Sequence, residues 1–473
     1  MMDTDLPPEP PPRGADGSFL GHVNVVVLTY LADGILAFIT GIFIARALGP
    51  DGRGAYGLFV LSAAFGQLLF GLGIGNAAIY YINKGEASVR DAVSAAHVIT
   101  AASAVAAAAV IGLFRVLDTT GILGLPDAWF NDPLDIGISQ WLLIAGVPVL
   151  LYWNLMRLIL QAESRFVDLG ISTIAQQALL VAAVGTIVVT GDLTPTAAAL
   201  CLIGATATAG AFSLLRVGVE YIDPGQIVRP QFAMIRKLAG FGLQGESGNV
   251  LQLLNYRLDQ YIVRYYVGLA GVGIYAVSAS MTEAMFVLAN AVALVLLPRM
   301  TANEDDAHWM ASLATRSTLL IAAAGALCMA IAAPVLVPLA FGDAYRDSVQ
   351  PLWFLLPGTV ALAGSKVLTS YVFSKGRPLV NTGITAASLV VTVAANFVFV
   401  PIFDVKGAAI ASSLAYGAHF AAALVAFSKL SGRSPLTALI PGREDVRLYA
   451  DAWRTLLRRI GRGPSAETER PRP

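Results

Sequence analysis

About twelve stretches of this sequence run close to twenty residues with few ionisable side chains, the length a helix needs to cross bilayer hydrocarbon. In that medium each backbone N–H and C=O must find its partner within the segment, so an apolar run of this length becomes a helix. The short alternating strands of a membrane β-barrel are absent from the sequence. Of 473 residues, 56% are hydrophobic and 13% charged, and the mean hydropathy is +0.68. Soluble domains carry about 25% charged residues, so a large soluble enzyme is excluded. A formal net charge of zero gives no sign of a nucleic-acid partner. The expectation is an all-α polytopic membrane protein.

The runs fall into two sets of six, at residues 22–220 and 238–428, joined by a linker at 221–237. Residues 1–21 are proline-rich and acidic and read as a disordered cytosolic tail rather than a cleaved signal. Residues 429–473 form a basic tail, and EDVRLYADAWRTLLRRIG suits an amphipathic helix on an anionic leaflet as well as it suits a loosely ordered tail. Lys and Arg concentrate in alternate loops, at Lys84 and Arg90, Arg165, Arg229 to Lys237, Arg299 and Arg316, and Lys375 and Arg377. That bias puts both termini in the cytosol, and the acid-biased loop Asp118–Asp135 outside. Cys201 and Cys328 lie far apart in apolar segments and read as structural thiols.

The chain also echoes itself. GIFIARALGPDGRGAYGLF from Gly41 resembles QYIVRYYVGLAGVGIYAV from Gln260, and the helix end at Arg165 resembles that at Arg377. Pairing Gly57 with Gly273 and Arg165 with Arg377 gives offsets of 216 (273 − 57) and 212 (377 − 165), which implies two parallel six-helix halves.

NYRLDQYIVRYYVG, Asn255 to Gly268, sits inside one of the apolar runs, yet an ionisable group in hydrocarbon costs about 2.5–3.5 kcal/mol even on insertion scales. At helical spacing Glu246, Asn249, Arg257, Gln260 and Arg264 share a face, and Asn255 and Asp259 form a neighbouring strip. Such a helix lines a wet cavity or pairs with its neighbours. Guanidinium forks suit anionic oxygens, and side-chain amides suit hydroxyl groups. Arg257, Asn249 and Gln260 are therefore candidate substrate ligands, together with Arg157 and Lys366 in the cytosolic halves of the fourth and tenth runs. Arg46, near an outer helix end, is an anchor or a phosphate-release site. Asp33, Glu283 and Asp259 are candidates to bind a coupling proton or sodium ion, and equally to be neutral or paired helix contacts. Gln67, Gln176, Gln177, Asn290, Asn381, Asn396 and His419 read as interhelical hydrogen-bond partners.

FIARALGPDGRGAYGLF, LDQYIVRYYVGLAGVGIYAVSASMTE and LQAESRF resemble motifs of polysaccharide-exporting flippases. These belong to the multidrug/oligosaccharidyl-lipid/polysaccharide (MOP) exporter superfamily, and the chain is similar to its Wzx-type branch over residues 20–430. The resemblance implies two six-helix lobes, as in the MATE-like fold, with no cofactor and no covalent chemistry. It implies alternating access that carries an undecaprenyl-diphosphate-linked oligosaccharide across the bacterial inner membrane, and other polysaccharide-assembly proteins as possible partners. A cation-coupled multidrug antiporter of the same superfamily is the main alternative. A membrane polymerase or ligase fits poorly, because no large external loop with catalytic residues, P-loop or zinc cluster is present.

Single cysteines at Asp127 and Gln226 test the topology. With an impermeant maleimide on intact spheroplasts, Asp127→Cys should label and Gln226→Cys should label only after permeabilisation. The reverse pattern overturns the orientation.

Overall fold

The computed structural model describes residues 18–120, 138, 141–221, 232–283 and 305–440, and between the last two spans residues 285–286, 289, 292–293, 296 and 300–301. Residues 1–17, the acid-biased loop from 121 on, most of the linker, Asn290, Arg299 and the basic tail beyond 440 lie outside these. The described residues form eleven α-helices: α1 (Ser18–Gly71), α2 (Ile74–Asn83), α3 (Val89–Thr120), α4 (Trp141–Ala162), α5 (Phe166–Thr190), α6 (Pro195–Tyr221), α7 (Phe232–Tyr266), α8 (Leu269–Glu283), α9 (Ala307–Phe341), α10 (Val349–Ser374) and α11 (Pro378–Ser431).

Eight stretches among them are long and apolar enough to cross a membrane. Two of these, Leu28–Gly71 and Pro378–Ser431, have 44 and 54 residues. At 1.5 Å per residue each is roughly twice as long as the hydrocarbon is thick, so each must make two passes. The backbone supplies the turns. Gly49 (φ 66°) breaks α1 just before Pro50, and Asp404 (φ 53°) breaks α11 just after Pro401. With α7 and α8 the described residues make an all-α frame. The long α7 is not among the eight apolar stretches because of its polar side chains.

The chain divides into two compact units, one of Met1–Leu253, Val267–Ala276 and Pro338–Tyr345, the other of Leu254–Tyr266, Val277–Val337 and Arg346–Pro473. In the first, Ile74, Ala96, Met156, Ile159, Val217 and Leu238 form one apolar cluster, and Ile44, Tyr56, Leu180, Val184 and Ala198 another. Polar side chains then fix helix pairs. Gln177 donates to Thr40 at 3.1 Å, Gln176 to Thr206 at 3.4 Å, and Trp153 to Ser172 at 3.2 Å. At the start of α5 the Asp168 carboxylate accepts from both Arg165 and Arg216, at 2.9 and 2.8 Å, joining the ends of α5 and α6.

In the second unit Leu368, Tyr371, Ile384, Ala423 and Phe427 build the core. Ser365 and His419 are 2.6 Å apart, linking α10 to α11, and Asn381 donates to the Thr369 carbonyl at 2.9 Å. Asn396 departs from expectation. It bonds back to the Thr392 carbonyl of its own helix at 2.8 Å, because it stands one turn beyond that carbonyl. Cys201 and Cys328 are both free.

The internal repeat is clear, with one correction of register. Gly49 and Gly268 are both left-handed, at φ 66° and 105°, and lie 219 residues apart (268 − 49). The buried Tyr56 and Tyr275 have the same spacing (275 − 56 = 219), so Gly273 answers to Gly54 rather than to Gly57. Apolar segments with many glycines permit such a three-residue slip, and only backbone geometry removes it. Arg165 and Arg377 do correspond: each is the N-cap of its helix and follows a left-handed residue, Ser164 or Gly376.

The segments around Gly54 and Gly273 touch through these glycines. A Cβ on Gly54 would strike the carbonyl oxygen of Leu269, and one on Gly273 would strike that of Pro50. Gly73 and Gly242 exclude each other's side chains in the same way. Gly54→Val and Gly273→Val should therefore cut the yield of monodisperse protein on size exclusion, since overpacking costs about 1–3 kcal/mol. Gly57→Ala, with nothing within 4 Å of the new methyl, should leave it unchanged.

Candidate functional site

The last turns of α7 sort their polar groups onto two sides. Asn255 and Asp259 are four residues apart and face together, and both are 1% exposed. Asn255 accepts from Thr392 at 2.5 Å and donates to Ser388 at 3.1 Å. Asp259 accepts from Ser412 at 2.9 Å and from the Gln260 amide at 2.8 Å. This strip is thus committed to α11. Gln260 is also buried, at 4% exposure.

Arg257 lies between them in sequence and is turned away by the helical repeat. Its Nη1 sits 2.8 Å from Glu283 Oε1 on α8. The two side chains keep 31% and 42% exposure. Asp259, on α7 itself, adds a negative field at Arg257, and the ion-pair partner is Glu283 on α8.

Lys366 on α10 lies in the same unit. Its ammonium is 5.3 Å from the Phe286 ring centroid and 5.9 Å from that of Tyr256. The quadrupoles of the two rings hold the cation by their faces. Tyr256 in turn meets Tyr416 edge to face, with centroids 5.9 Å apart. The second unit thus joins Arg257, Glu283 and Lys366 with two tyrosines and a phenylalanine.

The first unit holds the other expected residues. Arg157 stacks 4.7 Å over Trp153, and its buried Nε has no hydrogen-bond partner. It lines a small hollow of about 60 Å³ with Thr29, Tyr30, Gln161 and Thr173. Asp33 lies within electrostatic reach of it. Asn249 is exposed and donates to Glu246 at 3.2 Å. Arg46 bonds the carbonyls of Ala340, at 2.8 Å, and Leu339. It thereby satisfies the orphan acceptors at the C-terminus of α9, where a cation also suits the helix dipole. The Tyr345 hydroxyl supports this junction by donating to the Ala45 carbonyl at 3.0 Å.

Three features escape a reading of the sequence. The partner of Arg257 is Glu283, not the neighbouring Asp259. Trp153 was legible only as the residue one turn before Arg157 on the same helix. The third is an apolar cavity of about 700 Å³ between α3, α4 and α6, lined by Ala101, Ala104, Pro148, Ala207 and Gly210. Its wall carries the pair His97 and Tyr152, 3.1 Å apart.

Comparison with solved structures finds a multidrug resistance MATE family transporter of the MOP superfamily in an inward-facing conformation. It is 16% identical, with 85% of this chain and 95% of that one covered at a TM-score of 0.70. The lipid II flippase MurJ, inward closed, is 12% identical over 87% and 88% of the two chains, at 0.67. A Vibrio cholerae MATE transporter is 16% identical over 88% and 97%, at 0.58. At these identities the likeness is one of fold. No curated protein sequence matches. The profile of a family described as "Polysaccharide biosynthesis protein" matches residues 20–304, more than half of the 473. The chain is a multi-pass membrane protein with the fold of the MOP exporters, and it belongs to the polysaccharide biosynthesis protein family.

Proposed function

We propose that the protein is a flippase that carries an oligosaccharide linked to a prenyl diphosphate across the bacterial inner membrane, by alternating access between lobes at residues 22–220 and 238–428. The family supports a saccharide substrate, and the solved proteins that share the fold are transporters rather than enzymes. The observation that carries the reading is the set of cations on membrane-spanning helices. Arg257 and Lys366 stand in one unit and Arg157 in the other, each only partly buried. Cations in hydrocarbon are costly and usually functional, and these suit a diphosphate. Asn249 and Gln260 serve as further contacts on the same helix as Arg257, and Arg46 as a contact at the outer end. Asp33, Glu283 and Asp259 remain the acids available for proton or sodium coupling. Export of a lipophilic cation is the second reading, favoured by those acids and by the multidrug MATE transporters of the same fold.

The test is transport of the lipid-linked repeat per folded protein in reconstituted vesicles. Arg257→Ala should reduce it by about one to two orders of magnitude, since a charge-assisted contact contributes about 1.5–3 kcal/mol. Arg257→Lys should keep part of the activity, and Arg157→Ala with Lys366→Ala should be worse than either alone. Normal transport by folded Arg257→Ala removes the ligand assignment.

A further inference from the structure

Arg157 leaves a question that its place among several cations does not answer. Its Nε is buried, and no protein atom among the described residues accepts from it. Trp153, 4.7 Å away, offers the guanidinium a ring and no acceptor. An arginine keeps its charge in any protein environment, and a buried donor without an acceptor is costly.

The hollow that Arg157 lines is built from three helices: Thr29 and Tyr30 come from α1, Arg157 and Gln161 from α4, and Gly170 and Thr173 from α5. With the N-terminus in the cytosol, as the loop charges predict, these are the cytosolic parts of all three. Thr173 donates to the Leu169 carbonyl of its own helix at 2.9 Å. The Thr29 and Tyr30 hydroxyls and the Gln161 amide have no hydrogen-bond partner among the described residues. No carboxylate is among the described lining residues. Asp33 lies within electrostatic reach of Arg157 but outside the lining, so its field weakens the site without filling it. Gly170 keeps the space open, since a Cβ there would stand 2.6 Å from the Thr29 hydroxyl oxygen.

Size is as selective as polarity here. A water needs about 10–15 Å³ of such space, so a hollow of about 60 Å³ admits roughly four to six small atoms. A phosphoryl group, one phosphorus with its oxygens, is of that size. A sugar ring or a whole diphosphate is not.

We infer that this hollow seats a single phosphoryl group of the lipid-linked substrate, with Arg157, Thr29, Tyr30 and Gln161 as its donors. Each of these groups can donate, and a tetrahedral oxyanion accepts from all of them. This rests on the flippase reading above and narrows Arg157 from a general diphosphate contact to the holder of one phosphate. The second phosphate and the sugars stay outside.

The experiment measures binding of farnesyl phosphate, farnesyl diphosphate and farnesol to the purified full-length protein in an uncharged detergent. Wild type should bind both phosphates about tenfold tighter than farnesol, or more. Thr29→Val keeps the shape and loses the hydroxyl, so both phosphates should weaken by one shared factor of roughly ten, with farnesol unchanged. Thr29→Ser should restore them, and Gly170→Ala should act like Thr29→Val by displacing the hydroxyl. Variants that lose farnesol along with the phosphates show a structural effect and overturn the inference. Unchanged phosphate binding by Thr29→Val and Gly170→Ala overturns it too, and assigns the hollow to water alone. Dioleoyl phosphatidylglycerol carries the same chemistry, and if it displaces farnesyl phosphate at equal concentration the hollow belongs to a bilayer lipid and the inference fails. A wild type that binds farnesol as tightly as the phosphates refutes it without any variant. The first three results leave the flippase reading standing, because transport and Arg257 decide that. A wild type that ignores both phosphates but binds tetraphenylphosphonium overturns the flippase reading, and this inference with it.

Discussion

A guanidinium on a membrane-spanning helix has to be compensated by something, and in this protein the compensation of Arg257 organises its surroundings. Several polar groups of α7 are matched by groups on neighbouring helices. Asn255 and Asp259 are spent on Ser388, Thr392 and Ser412, which seats α7 against α11. Arg257 takes Glu283, which ties α7 to the end of α8. Lys366 takes two aromatic faces. The solutions differ in how easily they yield. The buried hydrogen bonds to Asp259 are costly to break, and a cation over a ring leaves its other side open.

The passes were legible because hydropathy and length act together, and a single lipid thickness sets the ruler. The turns at Gly49 and Gly268 are left-handed positions that glycine fills without strain. The partner of Arg257 was not legible. Asp259 is nearer in sequence, but residues two apart on a helix point to nearly opposite sides. A helical wheel shows that they cannot meet, yet it gives no way to choose Glu283 from a different helix. The register of the repeat was legible only to within a turn, because Gly54 and Gly57 look alike in sequence and differ only in what lies against them. The cavity beside His97 and Tyr152 left no signal, since a hollow is defined by side chains that are too small, and alanines are common throughout.

Arg46 shows how a cation that suits a ligand can also serve the backbone. An arginine at the outer end of a helix suits a phosphate by charge and geometry. Here its donors are spent on the carbonyls that end α9. Those acceptors lack partners in their own helix, so the cation serves the backbone first. Arg157 is the opposite case, with a buried Nε that nothing satisfies, next to Thr29 and Tyr30.

The glycine seams also decide where a reporter can be attached. Gly54, Gly73, Gly242 and Gly273 stand against backbone atoms and cannot carry even a methyl group. Gly41 and Gly57 have nothing within 4 Å of a new Cβ, on either side of the left-handed Gly49. A spin label or fluorophore on a cysteine at either position would follow its hairpin without prising it open. Spectroscopic distances within this protein therefore start from the glycines that face empty space, a set that sequence inspection would not separate from the rest.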